Sequence, residues 1–208
     1  MPNEKQLWVL TGGNGAGKST FFKHYLADYG IKFVNADLIA KEINPKNSEK
    51  LSYEAATIAA TIRNDLLSQG ASFCFETVFS HESKIDFIAQ AKGMGYKIIL
   101  VYIHLIDSSL NEARVHQRTT EGGHSVPTDK IHSRIPRTMK HIKTALTIVD
   151  EAWILDNSSE QNRFQQMVVM KSGNYEIINE IQLTYLELDG IYCLIRGITL
   201  TEQKEIIV

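Results

Sequence analysis

The sequence predicts an α/β fold in which helices flank a mainly parallel sheet. Short apolar runs alternate with helix-length segments along most of the chain, as they do in parallel sheets built from βαβ units. The glycine-rich stretch GGNGAGKST at 12–20 also follows an apolar run, LWVLT, and precedes a helix-like segment. A strand, a glycine-rich loop and a helix in this order are typical of a phosphate-binding loop, or P-loop.

The apolar runs give the strands, because each is short and rich in β-branched or aromatic residues. In chain order the predicted strands are QLWVLT at 6–11, KFVNA at 32–36, SFCFET at 72–77, KIILVYIHL at 97–105 and AWILD at 152–156.

The segments between the strands are long enough for helices. We expect these helices at about 18–29, 50–69, 82–94, 109–119 and 129–149. Pro136 should break or kink the last helix, because its ring removes a backbone donor and restricts the preceding residue. The loop at 120–128 contains two glycines and a proline and is predicted to be a mobile lid.

Composition excludes several classes of protein. The chain has 208 residues, 43% of them hydrophobic and 22% charged, and a formal net charge of −2. These values give no argument for binding nucleic acid or membranes, and no apolar stretch is long enough to span a bilayer. Cys74 and Cys193 lie apart among apolar residues, so we expect reduced thiols and a cytoplasmic protein.

The P-loop pattern consists of Gly12, four further residues, and then Gly17, Lys18 and Ser19. In such a loop the lysine reaches the β- and γ-phosphates of a nucleotide, and the hydroxyl contacts Mg²⁺. Ser19 is therefore the predicted Mg²⁺ ligand. Nucleotide contacts are expected from Gly12, Gly13, Asn14, Gly15, Ala16, Gly17, Lys18, Ser19 and Thr20.

The residues that accompany the loop narrow the class of P-loop protein. The guanine-binding pattern Asn-Lys-x-Asp and the transporter signature Leu-Ser-Gly-Gly-Gln are both absent. Glu76, Asp107 and Asp156 each follow an apolar run, so position alone does not identify a Mg²⁺-binding acid. The plan that remains is that of a nucleotide kinase, with an acid near the second strand and an arginine-bearing lid.

Asp37 is the acid at the end of the second strand, where open α/β sheets present their ligands. A kinase that acts on a hydroxyl needs a carboxylate to orient the hydroxyl and take its proton. Asn35 and Asp37 could instead cap the next helix, which is a common role for such residues.

Positive charge is concentrated between 110 and 145, where seven Lys and Arg face three acids. Arg114 and Arg118 share one helix face, and so do Lys130 and Arg134. A solvated helix face is the usual meaning of such a cluster, but phosphoryl transfer requires cations around the transferred group. We therefore interpret the cluster as lid chemistry.

Four stretches together resemble the zeta toxin family of P-loop kinases. They are TGGNGAGKST, VNAD, FETVFS and RVHQRTTEGGHSVPTDKIHSRIPR. The last contains a Gly-Gly-His-x-Val-Pro lid found in some bacterial members. The resemblance covers roughly 6–158.

The resemblance implies a fold like that of shikimate and adenylate-type kinases, with ATP and Mg²⁺ as cofactors. Members of the family phosphorylate the 3′-hydroxyl of the sugar in UDP-N-acetylglucosamine and can be held by an antitoxin protein. Asp37 matches the catalytic base, and Lys18 and Ser19 match the phosphate and Mg²⁺ contacts. The residues that match substrate-side or transfer positions are Glu76, Thr77, Arg118 and Arg134, with Arg114 or Arg137 as alternatives for the arginines. His124 in the lid either contacts substrate or stabilises the loop.

We expect a P-loop kinase domain over 1–162, with a lid at about 119–137. A β-rich C-terminal extension over 163–208 should pack on the same domain, because its apolar runs are rich in β-branched and aromatic residues. The leading hypothesis is a kinase whose acceptor is a nucleotide-activated sugar. The alternatives are a kinase of a nucleoside or free sugar, and a nucleotide-binding regulatory module with slow ATPase activity.

Overall fold

The computed structural model describes residues 4–45, 48–120 and 126–178. Within these residues seven strands form one sheet in the order β2-β3-β1-β4-β5-β6-β7. The first five strands pair in parallel, and β6 and β7 continue the sheet in antiparallel pairs. The strands are β1 (Gln6–Thr11), β2 (Lys32–Val34), β3 (Phe73–Thr77), β4 (Lys97–His104), β5 (Glu151–Asp156), β6 (Gln165–Lys171) and β7 (Asn174–Ile177). The predicted fold class is confirmed.

Six α-helices flank the described part of the sheet. They are α1 (Lys18–Tyr25), α2 (Ala36–Ile43), α3 (Ser52–Ser68), α4 (Ser83–Gly93), α5 (Ser108–Thr120) and α6 (Thr128–Leu146). Short 3₁₀ turns follow α1 at Ala27–Tyr29 and precede α3 at Ser48–Leu51. The sequence prediction missed α2, whose eight residues directly follow the short second strand.

A break or a kink was expected at Pro136; the break is wrong, because α6 continues through this residue for its full 19 residues. Pro136 lies on the exposed side of the helix, where water can satisfy the carbonyl that lost its donor. On the other side, Ile131, Ile142 and Leu146 are buried, and their packing holds the helix together across the missing hydrogen bond.

The strand order shows at which end of the sheet a ligand is expected to bind. The chain leaves β1 and returns on both sides of it, with β3 on one side and β4 on the other. The carboxyl end of β1 is therefore a topological switch point, where open α/β sheets bind ligands. The P-loop begins at this end.

Side chains on alternate positions of each strand fill two core layers. Leu7 and Val9 belong to a layer with Phe73 and Phe75, whereas Leu10 packs on the other face of the sheet. Cys74 is fully buried, and burial, together with the charge of Glu76, raises the pKa of its thiol well above the usual value. Such a thiol stays protonated and unreactive.

The region after β5 extends the sheet. Residues of β6 pair with β5 from Glu151 opposite Lys171 to Asp156 opposite Gln165, with a register shift between Ile154 and Leu155. The remainder of the predicted extension, including Cys193, lies outside the described residues. In the described part of the chain no helix has both the length and the apolar character needed to cross a membrane.

Candidate active site

Several positions of the P-loop require glycine, and Gly12 and Gly17 show the reason. Gly12 has φ 144°, and a Cβ there would lie 2.3 Å from the carbonyl oxygen of Ile103. Gly17 has φ 101°, and a Cβ there would lie 2.5 Å from the side-chain nitrogen of Asn157. At both positions the φ angle is positive, which favours glycine, and a neighbouring atom occupies the space that a Cβ would need.

Two asparagines hold the loop from outside. Asn111 on α5 donates from Nδ2 to the carbonyl oxygen of Asn14 at 2.7 Å. Asn157, just after β5, donates from Nδ2 to the carbonyl oxygen of Ala16 at 2.8 Å. Both asparagines are buried. The role of neither asparagine could be predicted from the sequence, because their partners lie 97 and 141 residues away along the chain.

Lys18, the P-loop lysine, lies buried at the centre of the site. Its Nζ donates to the carbonyl oxygens of Gly12 at 3.0 Å and Gly13 at 2.8 Å, and lies 3.6 Å from Glu76 Oε1. Burial lowers the pKa of Lys18, the charges of Glu76 and Asp37 oppose that shift, and the charge of Arg118 adds to it. These four charged groups therefore interact electrostatically in one site.

Glu76 is the acid that faces the P-loop hydroxyl. Its Oε2 accepts hydrogen bonds from Ser19 Oγ at 2.5 Å and from Asn35 Nδ2 at 2.7 Å. The other two strand-end acids are engaged elsewhere, since Asp107 accepts from the backbone N–H of Ser109 and Asp156 accepts from Ser158. A carboxylate beside a serine hydroxyl is an oxygen donor pair that suits Mg²⁺.

Asn35 and Asp37 divide two roles between them. Asn35 is the N-cap of α2, and its Oδ1 accepts from the backbone N–H groups of Asp37 at 2.8 Å and Leu38 at 3.2 Å. Asp37 therefore does not serve as the cap. Its half-buried side chain lines the same cavity as Lys18.

The cavity beside the P-loop has a volume of about 550 Å³, within the usual range for small-molecule sites. Its wall includes Thr77, whose Oγ1 accepts from the backbone N–H of Phe79 at 3.0 Å. Phe79 has φ 65° although its side chain is fully buried, and this backbone is rare for a bulky residue.

Helix α6 is fastened to this strained loop. Thr138 donates to the carbonyl oxygen of Val78 at 2.8 Å, and the ring Nδ1 of His141 lies 2.9 Å from the carbonyl oxygen of Phe79. Helix α6 and the loop after β3 are therefore joined by two hydrogen bonds beside the cavity.

The four candidate arginines occupy different environments. Arg134 lines the cavity and donates from Nη1 to Asn14 Oδ1 at 3.3 Å, and the charge of Arg118 acts on Lys18. Arg114 lies beside the P-loop, since its Cβ is 3.3 Å from the position that a Cβ would take at Gly15. Arg137 is exposed and donates to the carbonyl oxygen of Ser133 in its own helix at 3.2 Å. His124 lies outside the described residues.

Comparisons with known proteins agree with this architecture. The AAA domain family matches residues 7–140. An uncharacterised protein from Haemophilus influenzae is 31% identical over 137 residues, which make up 62% of this chain and 97% of that protein. A dephospho-CoA kinase from Photobacterium profundum is 24% identical over 206 residues, covering 88% of this chain and 97% of the relative.

Solved structures share the fold at low sequence identity. A chain of the AvrRxo1-ORF1:-ORF2 complex with ATP superposes with a TM-score of 0.71 at 18% identity over 87% of this chain, which spans 63% of that chain. The PezAT toxin–antitoxin system of Streptococcus pneumoniae gives a TM-score of 0.61 at 13% identity, over 91% of this chain and 86% of the other. The fold is the P-loop kinase fold.

Proposed function

This chain belongs to the AAA domain family, and we propose that it is an ATP- and Mg²⁺-dependent small-molecule kinase of the zeta toxin type. The γ-phosphate of ATP is transferred to a hydroxyl of a nucleotide-activated sugar such as UDP-N-acetylglucosamine. The relatives and neighbours that carry kinase, toxin or ATP in their names support this proposal, and the resemblance of the four sequence stretches agrees with it.

The observation that carries the proposal is the position of Asp37. Because Asn35 caps α2, the Asp37 carboxylate faces the cavity that Lys18 also lines. A carboxylate beside a P-loop lysine can orient an acceptor hydroxyl and accept its proton as the phosphoryl group moves. A regulatory module has no need of a cavity-facing acid at this place.

The remaining residues supply positioning and charge. Lys18 and the backbone of the P-loop would hold the phosphates, and bound Mg²⁺ would neutralise charge on the β- and γ-oxygens. The oxygens of Glu76 point to Ser19, Asn35 and Lys18. We therefore place Glu76 on the Mg²⁺ side of the reaction rather than on the substrate side, where the resemblance put it.

Arg118 and Arg134 are the proposed cations for the phosphoryl group in transfer, because both act at the P-loop. Arg137 does not fit this role, since it is exposed and bonded to its own helix. Thr77 and His124 stay proposed acceptor contacts, and Thr77 is among the residues that line the cavity.

Two other acceptor classes share this chemistry. Nucleosides and free sugars offer the same reacting hydroxyl, and the full-length match to a dephospho-CoA kinase adds dephospho-CoA to the acceptors worth testing. The experiment is incubation with Mg-ATP and a panel of UDP-sugars, nucleosides, sugars and dephospho-CoA, read by mass spectrometry for an added phosphate.

Asp37→Asn tests the assignment of the base. The variant keeps size and hydrogen-bonding reach but cannot take a proton, so transfer should fall by roughly 10²-fold or more. Asp28→Asn, which makes the same change at an exposed position, is the matched control. Wild-type transfer by Asp37→Asn, or a loss of thermal stability that explains its inactivity, would contradict the proposed role.

An antitoxin protein is the partner that we propose, because two neighbours of the same fold were solved as assemblies with a second protein or belong to a toxin–antitoxin system. Expression of the wild-type chain should then arrest bacterial growth, and the Asp37→Asn variant should not. Equal growth with both would argue against a toxic activity.

A further inference from the structure

Arg63 is a buried cation that forms no ion pair with an acid among the residues that the structure describes. It lies on α3, its side chain is only 8% exposed, and it lines the cavity beside the P-loop. None of the ion pairs among the described residues includes Arg63, and within that part of the chain its Nε has no hydrogen-bond partner. Buried arginines are ordinarily paired, so this side chain requires an explanation.

The protein contacts of Arg63 are two aromatic rings. Its guanidinium lies 5.1 Å from the ring centre of Phe75 and 5.4 Å from that of Phe87. These cation–π contacts hold the guanidinium in place and offset part of the cost of burying it. Within the described residues the Nε–H of Arg63 has no acceptor, and a buried donor left in that state is costly.

A second cation from another helix stands near the first. Lys84, in the first turn of α4, lines the same cavity. Burial lowers the pKa of Lys84, and the positive charge of Arg63 lowers it further. Two positive charges that line one cavity repel each other, and a bound anion would remove this repulsion.

We infer that Arg63 and Lys84 form an anion subsite that binds a phosphate or diphosphate group of the acceptor. A guanidinium presents several donors in a fixed fork that matches the oxygens of a phosphate, and a lysine adds a point charge. A phosphate group or diphosphate carries enough negative charge to neutralise both cations, whereas a single carboxylate would neutralise one. The inference rests on the proposed function only in assigning this anion to the acceptor.

The subsite lies apart from the nucleotide site in the chain. The P-loop joins β1 to α1, whereas Arg63 and Lys84 come from α3 and α4. The cavity therefore joins a site for the donor phosphates to a second cationic wall, with Asp37 lining the same space. An acceptor anchored by its phosphate at Arg63 would present a hydroxyl within that space.

A purely structural role makes a different prediction. If Arg63 only fastened α3 to the rings of Phe75 and Phe87, the long apolar side chain of methionine would replace most of its packing. Arg63→Met would then act on stability and on all acceptors alike. An anion subsite instead predicts a selective loss for phosphorylated ligands.

Binding of inorganic pyrophosphate tests the subsite without any catalysis. Calorimetry is done on Lys18→Ala, which weakens the P-loop site, and on the same variant carrying Arg63→Met, at constant ionic strength. The second substitution should weaken pyrophosphate binding roughly 10- to 100-fold, as expected for lost hydrogen bonds to a charged group. Equal binding by both proteins, or no binding by Lys18→Ala, would overturn the inference.

Kinetics then assign the anion to the acceptor. Arg63→Met and Lys84→Met should raise the KM of phosphate-bearing acceptors by a similar factor while leaving neutral and carboxylate-bearing acceptors nearly unchanged. Lys23→Met, at an exposed position on α1, controls for the loss of one positive charge. A uniform loss for all acceptors, or selectivity for carboxylates, would overturn the inference.

The design separates this inference from the proposed function. If no acceptor is phosphorylated, the proposed function fails and the pyrophosphate titration still decides the subsite. If Arg63→Met does not fold, Arg63→Lys and Lys84→Met replace it in the same titration. Arg63→Lys keeps the charge but loses the fork, so it should retain part of the affinity.

Discussion

Replacing Glu76 with glutamine tests the centre of the proposed site. The Glu76 carboxylate accepts from Ser19 and Asn35 through one oxygen and faces the Lys18 ammonium with the other at 3.6 Å. Glutamine can keep one oxygen for the first two partners. Its amide NH₂ group then faces Lys18, so an attractive contact becomes a contact between two donors.

The expected magnitude follows from these contacts. A contact with a charged group contributes about 1.5–3 kcal/mol, so the free energy of unfolding should fall by about 1.5–3 kcal/mol in Glu76→Gln. The negative charge of Glu76 also raises the pKa of Lys18 against the effect of burial. Without this charge the pKa of Lys18 falls further, and the lysine loses its proton more easily.

Three measurements check the reasoning. Urea denaturation gives the stability, calorimetry with and without Mg²⁺ gives ATP affinity, and the transfer assay gives the rate. In the variant, Mg²⁺ should strengthen ATP binding less than in the wild type. ATP affinity should also rise as the pH is lowered, because protonated Lys18 is the form that binds phosphate. Glu54→Gln, an exposed position on α3, is the control.

The outcome that refutes this account is specific. If Glu76→Gln keeps wild-type stability, wild-type transfer and an unchanged Mg²⁺ effect, Glu76 neither supports Lys18 nor serves the metal. If only the affinity for the acceptor changes, the substrate-side role implied by the family resemblance is correct instead.

Three further predictions concern the framework and the lid. Burial lowers the pKa of His104 to about 4, below the 6.5 of an unfolded histidine, so stability present above pH 6.5 should be lost as the pH falls towards 4. The free energy of unfolding should fall by up to about 3 kcal/mol over this range. In urea denaturation, His104→Gln should show a much smaller dependence of stability on pH than the wild type. Asn157→Ala leaves a buried P-loop carbonyl without its donor, so unfolding should cost about 1–3 kcal/mol less and calorimetry should show weaker ATP binding. Arg118→Lys and Arg134→Lys should lower kcat more than ATP affinity, with Arg137→Lys unchanged in steady-state kinetics.

The sequence predicted those parts of the fold that are specified locally. The five parallel strands were recovered within about two residues, because each is an apolar run between helix-length segments. Helix α2 was missed because it is short and follows the second strand without a loop. The helix expected at about 129–149 is present as α6, but the break expected at Pro136 is absent, since continuity at this residue depends on tertiary packing that a local rule does not contain.

The candidate site shows the same division between local and distant information. The P-loop and Asp37 could be found from the sequence, because glycine spacing and strand ends are local features. The sequence could not identify Glu76 as the acid at the P-loop among the three strand-end acids. Its role depends on hydrogen bonds from Ser19 and Asn35, which lie 57 and 41 positions away along the chain. Arg63 gave no signal either, since an arginine in a predicted helix is ordinarily a solvated residue.

The charge of the cavity leads to a conclusion that the composition of the chain would not support. The whole chain has a formal net charge of −2, but among the described residues five cations and two carboxylates line the cavity. The cations are Lys18, Arg63, Lys84, Lys130 and Arg134. Lys18 and Arg134 contact the P-loop and are matched to the phosphates of ATP, whose charge Mg²⁺ partly neutralises. The positive charge on α3 and α4 is then in excess of what the nucleotide needs, so the second substrate should be an anion.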